Sequence, residues 1–501
     1  MNRLAFGNTS LLFLISALLC VSVADIAITA LNPWAEMLRL ARGILAPNPL
    51  SIEAWSVVWT VAFAVVGVGI GASAGFLLAI AFPHLVAVRV SCLVLRSIHE
   101  LFWALLLIQV FGLGPATGVL AIAIPYAGIF AKVFAEIIEE ADLSAEKVLP
   151  TGTSAISAFA FARLPEVAER FKTYTLYRLE CGLRSTLILG FVGLPTVGFH
   201  LEGYFKQGNY AEAAALLGVF YLLIGTRRLW ARPATVPLLF IGSLLLLPEG
   251  IGGGSTLSNL VRFVTHDIVP FPLRNGDVGS LATWSAFAAW LQPIVWNQVL
   301  PGVWNTIVLA QIALVGMGIL ALLLFPLVSH QFVGRIGQPA GRLLLVVVRS
   351  TPEYMLAYVL LQLLGPSMLP AIIALAVHNG AIVGYLMGRQ ADALDYRADA
   401  PRGLNLYGYE TAPRLYGQFM AYSLYRWEII VRESAIFGIL GVATLGYYVD
   451  AAISELRFDV AIVLILATVG LCALIDALSR RLRQALRIST LATRLADAPA
   501  R

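Results

Sequence analysis

The sequence predicts an all-α polytopic membrane protein with about twelve transmembrane helices in two parallel six-helix repeats. Only 13% of its 501 residues are charged, against about 25% in an ordinary soluble domain. A helix needs about 20 apolar residues to cross the ~30 Å hydrocarbon core, so a dozen spans would use roughly half of the chain. The 34 Lys and Arg residues exceed the 29 Asp and Glu residues, for a net charge of +5, and the basic residues lie near the ends of apolar segments. We interpret them as topology signals and expect no nucleic-acid partner.

An internal repeat is the second observation behind this prediction. The segment Tyr174–Arg184 recurs as Tyr422–Arg432, an offset of 248 (422 − 174), with two tyrosines, a leucine, two arginines and a glutamate at matching positions. Upstream, Arg96–Glu100 aligns with Arg349–Glu353. The glycines that continue the match are Gly190, Gly193 and Gly198 in the first copy and Gly438, Gly441 and Gly446 in the second. We also align Gly114-Pro115 with Gly365-Pro366.

Apolar runs place six spans in each copy. In the first copy they are expected near residues 11–31, 55–82, 96–114, 117–137, 173–198 and 211–226. In the second copy they are expected near residues 235–249, 302–327, 343–364, 367–388, 422–447 and 459–478. An even number of spans makes the copies parallel, related by an axis along the membrane normal.

Charge and composition predict the topology and the domain limits. Loops assigned to the cytoplasm hold about 22 Lys and Arg and the opposite loops about six, so both termini are expected to be cytoplasmic. The first apolar run also fits a signal peptide, because Ser22-Val23-Ala24 is a small-residue cleavage sequence. We expect a first repeat (1–234), a segment with the next span and an amphipathic outer connector (235–300), the remaining second repeat (301–485) and a tail (486–501).

Signatures of an enzyme or a metal protein are missing from the sequence. None of the four lysines lies in a phosphate-binding G-x-x-x-x-G-K-[ST] motif, so the chain is not expected to hydrolyse ATP by itself. Gly71-Ala-Ser73-Ala-Gly75 matches a nucleophile pattern, but small residues four apart within a span favour helix packing. The histidines form no H-E-x-x-H motif and the cysteines no C-x-x-C pair. We therefore predict no catalytic residue, cofactor or metal.

The segment after the fourth span resembles the coupling loop of ABC importer permeases. Glu146 and Gly152 match the first part of the family pattern E-A-A-x-x-x-G, and Leu164-Pro165 match the end of I-x-L-P, thirteen residues after the glycine. A short helix ended by a glycine and redirected by a proline makes a rigid projection. In the family, this projection docks into a groove of the ATP-hydrolysing subunit.

The second copy departs from this loop pattern. Pro413 lies nine residues before Tyr422, as Pro165 does before Tyr174, but the candidate glycine Gly403 precedes Pro413 by only ten residues. The expected glutamate is absent. We therefore expect two unequal loops.

The fifth span narrows the resemblance further. Tyr-x-Leu-Tyr-Arg-Trp-Glu, followed by an arginine four residues after the glutamate, looks like the permeases of phosphonate-type importers. The resemblance implies a type I ABC importer permease in the bacterial inner membrane, formed by two fused copies. It also implies a separate ATPase dimer, an extracytoplasmic solute-binding protein and a substrate such as phosphonate, phosphite, hypophosphite or phosphate.

Ionisable residues within the predicted spans are candidates for the translocation pathway, because each costs at least ~2.5–3.5 kcal/mol at a helix centre. One hypothesis makes Glu-Arg neighbours four residues apart structural ion pairs. The other makes Arg178 and Arg426, with the tyrosines one turn before them, an oxyanion gate across the pseudo-twofold axis. The candidate pathway residues are Tyr174, Arg178, Glu180, Arg184, Tyr422, Arg426, Glu428, Arg432, Glu100 and Glu353.

Two alternatives belong to other classes. Two parallel six-helix halves are also the plan of major facilitator transporters, which would use Glu180, Glu428 or Glu353 for proton or sodium coupling. A membrane-embedded enzyme would use His99 and Glu100. The coupling-loop spacing and the fifth-span motif favour the ABC permease.

Overall fold

The computed structural model of the protein describes residues 3–486 except 31, 142–143, 145–147, 151, 233, 250–255, 275 and 398. This part of the chain is helical and contains no β-strand, as the composition predicts. The expected tail after residue 486 and the glycine-rich start of the expected connector lie outside the described residues.

The helices fall into two compact units. Among the described residues, a continuous unit comprises Gly43–Leu260, and a split unit combines residues 3–42 with residues 261–486. The first two helices are α1 (Arg3–Val21) and α2 (Pro33–Leu45). The continuous unit then contains α3 (Ala54–Ala81), α4 (Val86–Ser97), α5 (Glu100–Phe111), α6 (Pro115–Glu139), α7 (Leu164–Phe191), α8 (Val197–Gln207), α9 (Tyr210–Gly225) and α10 (Val236–Leu245). The split unit contains α11 (Leu281–Ile294), α12 (Leu300–Leu324), α13 (His330–Ser350), α14 (Glu353–Leu364), α15 (Leu369–Asp392), α16 (Ala412–Glu433), α17 (Leu445–Ser454) and α18 (Phe458–Ala485).

Length and hydropathy identify membrane spans among the described helices. Five helices are long and apolar enough to cross a bilayer, and the number rises to seven if each of two bent helix pairs is one span. Helix α1, from Phe6, and helices α9 and α10 are apolar but shorter. The chain is therefore a multi-pass membrane protein, while the count of twelve stays a prediction.

The third predicted span of each copy is bent rather than straight. Helices α4 and α5 meet at 95°, and helices α13 and α14 meet at 88°. The expected range 343–364 is wrong as one straight span, because the break divides it, whereas 96–114 contains all of α5 and only the last two residues of α4. The repeated Arg-Ser-x-x-Glu sequence lies at this break, and its glutamate is the first residue of the following helix.

Part of the expected connector is also helical. Helix α11 continues through residues 295–299 into α12, so that Leu281–Val328 forms one candidate span of 48 residues. At 1.5 Å per residue it is about 72 Å long, more than twice the hydrocarbon thickness. The second half of the connector is thus an extension of the next span.

Each compact unit contains one helix from the other sequence repeat. Helix α1 of the first repeat lies in the split unit, and helix α10 of the second repeat lies in the continuous unit. In the split unit, Gln311 of α12 donates a hydrogen bond to Ser16 of α1 at 2.7 Å. The ring of Phe13 in α1 meets that of Trp427 edge-on, with centroids 5.1 Å apart. In the continuous unit, α10 packs against α3. The domain limits drawn from the repeat remain a prediction. The compact units are defined by contacts and the repeats by sequence similarity, so the two divisions need not coincide.

Close packing explains the small residues of α3. A Cβ atom added to Gly75 would lie 2.4 Å from the Cβ atom of Phe130, and one added to Gly71 would lie 2.9 Å from that of Tyr126. Helix α3 therefore approaches α6 through its glycines. The packing interpretation of the Gly71–Gly75 sequence is confirmed.

A tight corner with the same geometry follows α7 and α16. In the continuous unit, Thr196 Oγ1 donates to the carbonyl oxygen of Thr186 at 2.9 Å. In the split unit, Thr444 Oγ1 donates to the carbonyl oxygen of Ser434 at 3.4 Å. Gly193 and Gly441 adopt φ angles of 92° and 84° at the turn, a conformation that glycine enters without steric cost. The repeat read from the glycines therefore corresponds to a repeated structure.

One glycine alignment is wrong. Gly112 ends α5 with φ 71° and Gly365 ends α14 with φ 88°. Their offset of 253 (365 − 112) equals that of Glu100 and Glu353 (353 − 100). Gly114 instead precedes α6 in an extended conformation. Gly365 therefore corresponds to Gly112, not to Gly114, because the helix end requires the left-handed backbone.

Replacing Gly190 tests the corner. A Cβ atom at Gly190 would lie 2.1 Å from the backbone nitrogen of Phe199, so Gly190→Ala should lower the free energy of unfolding by about 1–3 kcal/mol. Nothing lies within 4 Å of a Cβ atom at Gly218, and Gly218→Ala should leave stability unchanged or raise it by up to about 1 kcal/mol. Thermal unfolding in detergent, followed by tryptophan fluorescence, measures both. Equal melting temperatures for the two variants would contradict the packing argument.

Candidate functional site

Helix α7 carries a row of polar side chains along one face. Tyr174, Arg178, Cys181 and Ser185 are spaced four, three and four residues apart, which places them above one another on a helix. The helix runs from Leu164 to Phe191, and not over the expected range 173–198. It is not among the candidate spans, and neither is α16, since both are rich in ionisable residues.

Arg178 is surrounded by tyrosines of the continuous unit. Its Nε donates a hydrogen bond to the hydroxyl oxygen of Tyr174 at 2.9 Å. Its guanidinium carbon lies 5.4 Å from the ring centroid of Tyr174, 5.7 Å from that of Tyr126 and 5.9 Å from that of Tyr177. An arginine within about 6 Å of aromatic rings is attracted by their electron-rich faces. Three rings therefore hold this cation in place.

The network continues from Tyr126 to the bend between α4 and α5. The hydroxyl groups of Tyr126 and Ser185 are 3.3 Å apart, and Ser185 Oγ donates to Glu100 Oε1 at 2.7 Å. Glu100 thus joins Tyr174 and Arg178 in one connected group. Tyr126 and Ser185 are not among the pathway residues predicted from sequence, because a tyrosine and a serine in a span carry no charge.

Glu180 forms an ion pair outside the network of Arg178 and Glu100. Arg227 donates to Glu180 Oε2 at 2.7 Å and to the carbonyl oxygen of Leu176 at 3.0 Å. Arg184 donates a hydrogen bond to the Cys181 sulfur at 3.2 Å. Arg227 follows α9 and had not been singled out, since its partner is 47 residues away in sequence.

The corresponding positions of the split unit are arranged differently. The hydroxyl oxygen of Tyr422 accepts a hydrogen bond from Gln390 Nε2 at 2.6 Å. Arg426 makes no hydrogen bond, ion pair or ring contact with any other residue in the described part of the chain. Glu428 and Arg432 are half-buried, four residues apart on the same helix.

Glu353 occupies the place of Glu100 at the second bend. Its carboxylate lies 3.7 Å from His378 Nε2, and His378 Nδ1 donates to the carbonyl oxygen of Thr351 at 2.8 Å. Asn379 Nδ2 donates to Glu433 Oε2 at 3.3 Å. Asn379 and Glu433 correspond to Tyr126 and Ser185 at the offsets 253 (379 − 126) and 248 (433 − 185). The same three positions therefore hold polar groups in both units.

The two bends start their second helix in different ways. His99 Nδ1 accepts a hydrogen bond from the backbone N–H of Leu101 at 3.2 Å, which caps α5. In the split unit Pro352 takes this place and supplies no side-chain hydrogen bond to α14. A proline lacks the N–H that a continuous helix would need, so it also breaks the chain at this point.

The two candidate coupling loops share their backbone plan. Gly152 and Gly403 adopt φ angles of 95° and 62°. A π-helical segment follows each glycine, at Phe159–Arg163 and Leu406–Thr411. The next helix begins in both cases with the candidate proline as its second residue, after Leu164 in the first loop. Glu146 lies outside the described residues.

Exposed apolar side chains appear at matched positions of these loops. Ile156 and Phe161 lie nine and four residues before Pro165, and both are 82% exposed. Leu404 and Tyr409 lie nine and four residues before Pro413, with 88% and 80% exposure. We call these four residues the loop pairs. The match is visible only when positions are counted back from the proline. Counted forward from the glycine, the positions differ, because the glycine lies three residues closer to the proline in the second loop.

This fold and these repeated loops define a multi-pass membrane transport protein, and relatives identify its family. The chain is 26% identical over 417 residues to the phosphate-import permease protein PhnE of Mycolicibacterium smegmatis, covering 78% of this chain and 76% of that protein. It is 30% identical over 233 residues to the phosphite transport system permease protein PtxC of Stutzerimonas stutzeri, covering 44% of this chain and 84% of that protein. No protein-family model and no solved structure matches the chain.

The chain belongs to the ABC permease family that serves phosphonate, phosphite and phosphate transport systems. It is a permease subunit of such a system, which favours the ABC transporter over the major facilitator alternative. The alignment of 417 residues is longer than either predicted repeat, so it extends over parts of both.

Breaking the contact between Arg227 and Glu180 tests its structural role. Their side chains are 19% and 12% exposed, and removing one partner of a buried ion pair costs about 3 kcal/mol or more. Arg227→Met should therefore lower the melting temperature in detergent, whereas the double variant Arg227→Met/Glu180→Gln should recover most of it. Arg228→Met, on an exposed neighbour, is the control. A double variant as unstable as Arg227→Met would contradict this role.

Proposed function

We propose that this chain forms the translocation pathway of an ABC importer for a phosphorus oxyanion, that is, phosphonate, phosphite, hypophosphite or phosphate. The observation that carries the proposal is the repeated loop of a left-handed glycine, a π-helical segment and a proline in a chain of this permease family. The names of two relatives refer to phosphate import and phosphite transport. Selection among these anions belongs mainly to the binding protein.

The proposed system needs partners that bind on opposite sides of the bacterial inner membrane. A separate ATPase dimer supplies the energy, since the sequence contains no phosphate-binding loop of its own. An extracytoplasmic solute-binding protein delivers the anion. The chain itself catalyses no reaction in this proposal, and both termini and both candidate coupling loops lie on the cytoplasmic side.

The loop pairs support the proposed contact with the ATPase. An exposed aliphatic residue and an exposed aromatic residue on each loop would gain about 1.5–3 kcal/mol apiece on burial in an apolar groove. Their equal distance from the proline supports two contacts of similar shape, in place of the unequal contacts that the glycine spacing predicts. Two ATPase subunits of one kind would then fit both loops.

Substitution of the loop pairs tests the ATPase contact. Phe161→Asp and Tyr409→Asp should each lower the amount of ATPase that copurifies from membranes, by at least about tenfold, because each removes an apolar anchor. The control is Glu169→Ala, on helix α7 close to the first loop, whose side chain is 76% exposed. Unchanged copurification with both aspartate variants would show that the loop pairs are not the contact.

Transport by the purified system tests the proposal as a whole. The chain, its ATPase and its binding protein in proteoliposomes should take up radiolabelled phosphate, phosphite or methylphosphonate only when ATP is supplied. Uptake by the chain alone under a proton gradient would instead establish a secondary transporter. Uptake of none of the three anions by the complete, ATP-hydrolysing system would refute the substrate class.

A further inference from the structure

The equivalent arginines of the two repeats, Arg178 and Arg426, differ in the contacts that their side chains make. Each arginine lies four residues after a tyrosine on an ion-rich helix. A symmetric gate would require both guanidinium groups to be available to a passing anion. The contacts within each unit, taken separately, show that the Nε donor of Arg178 is occupied, whereas Arg426 has no hydrogen bond among the described residues.

Arg178 interacts with side chains of the continuous unit. Its Nε is bonded to Tyr174, and three tyrosine rings lie within 5.9 Å of the guanidinium carbon. An anion that took the Nε donor of this group would have to displace the hydrogen bond to Tyr174. The arrangement is that of a fixed cation which joins α7 to α6.

Arg426 lacks this enclosure because one enclosing residue is substituted and another has a different hydrogen-bond partner. The residue equivalent to Tyr126 is Asn379, which has no ring and donates to Glu433. The hydroxyl oxygen of Tyr422, which would receive the Arg426 Nε, accepts instead from Gln390. Residue Arg426 is half-buried on α16, and its side chain has no hydrogen bond, ion pair or ring contact within the described residues.

A second polar group without a hydrogen-bond partner among the described residues lies three residues before Arg426 in sequence. Ser423, one turn earlier on α16, has a buried hydroxyl with no hydrogen-bond partner in the described part of the chain. In the continuous unit the equivalent Thr175 is satisfied, since its Oγ1 donates to the carbonyl oxygen of Phe171 at 2.8 Å. A buried polar group without a partner costs about 1–3 kcal/mol. A ligand that accepts hydrogen bonds from both side chains removes this cost.

We propose that Arg426 and Ser423 form the anion-contacting site of the pathway, whereas Arg178 positions α7 and does not contact the substrate. This inference rests on the proposed function, because it assigns the phosphorus oxyanion to one of two pseudo-equivalent arginines. A guanidinium presents parallel N–H groups to two oxygens of a tetrahedral anion, and the serine hydroxyl donates to a third. A single such site binds weakly enough for the anion to leave.

Alanine substitution of each arginine, with a lysine variant of Arg426, distinguishes the roles of Arg178 and Arg426 in the complete system. Initial uptake of radiolabelled phosphate, phosphite and methylphosphonate is measured in proteoliposomes, per amount of assembled complex, together with ATP hydrolysis and thermal stability. Arg426→Ala should reduce uptake at least about tenfold, which corresponds to one lost charge-assisted hydrogen bond, without lowering the melting temperature. Arg426→Lys should restore part of the uptake. Ser423→Ala should reduce uptake about threefold or more.

The matched variant is Arg178→Ala, which should lower the melting temperature and the yield of complex more than Arg426→Ala does. Its remaining assembled fraction should show an unchanged KM for the anion, whereas Arg426→Ala raises it. Arg228→Ala is the control for loss of a basic residue. A raised KM for Arg178→Ala with a normal one for Arg426→Ala, or equal effects of both, would overturn the assignment. Wild-type complex that hydrolyses ATP but transports none of the anions would refute the proposed function itself.

Discussion

The cost of placing ionisable side chains between membrane helices governs this structure. Hydrocarbon offers no hydrogen bonds, so each charge on α7 and α16 must be stabilised by protein groups or face water. The protein uses three kinds of partner: tyrosine rings and a hydroxyl for Arg178, a second helix for Glu180, and amide or hydroxyl groups near the bends. These contacts draw α5, α6, α7 and the segment after α9 into one unit.

The repeat could be predicted from sequence because its strongest marks are backbone requirements. A left-handed turn and a contact between two backbones both demand glycine, whatever the neighbouring side chains are. Hence Gly190, Gly193 and their counterparts revealed the repeat, although the expected spans 173–198 and 422–447 ran through the corners that these glycines form. The composition likewise predicted the all-helical membrane fold, since only apolar helices satisfy their own backbone in lipid.

Other features depend on distant partners and leave little trace in a single sequence. The bends after Ser97 and Ser350 join helices that pass the hydropathy test for a span together, and hydropathy carries no information on the angle between them. Arg227, Tyr126 and Gln390 acquire their roles through residues 32 to 59 positions away. The difference between the arginines was hidden by the identical pattern around them, since it arises from Asn379 and Gln390 on another helix.

The packing of α1 has a consequence for how the chain is made. Phe13 and Ser10 find their partners at Trp427 and Tyr416, more than 400 residues later in synthesis. At about 5–20 residues per second, the first helix waits at least about 20 seconds in the membrane before its final neighbours emerge. During that interval its apolar surface is covered by lipid or by the insertion machinery. Completion of the split unit is therefore one of the last events of biosynthesis, and a truncated chain leaves its first helix without its native partners.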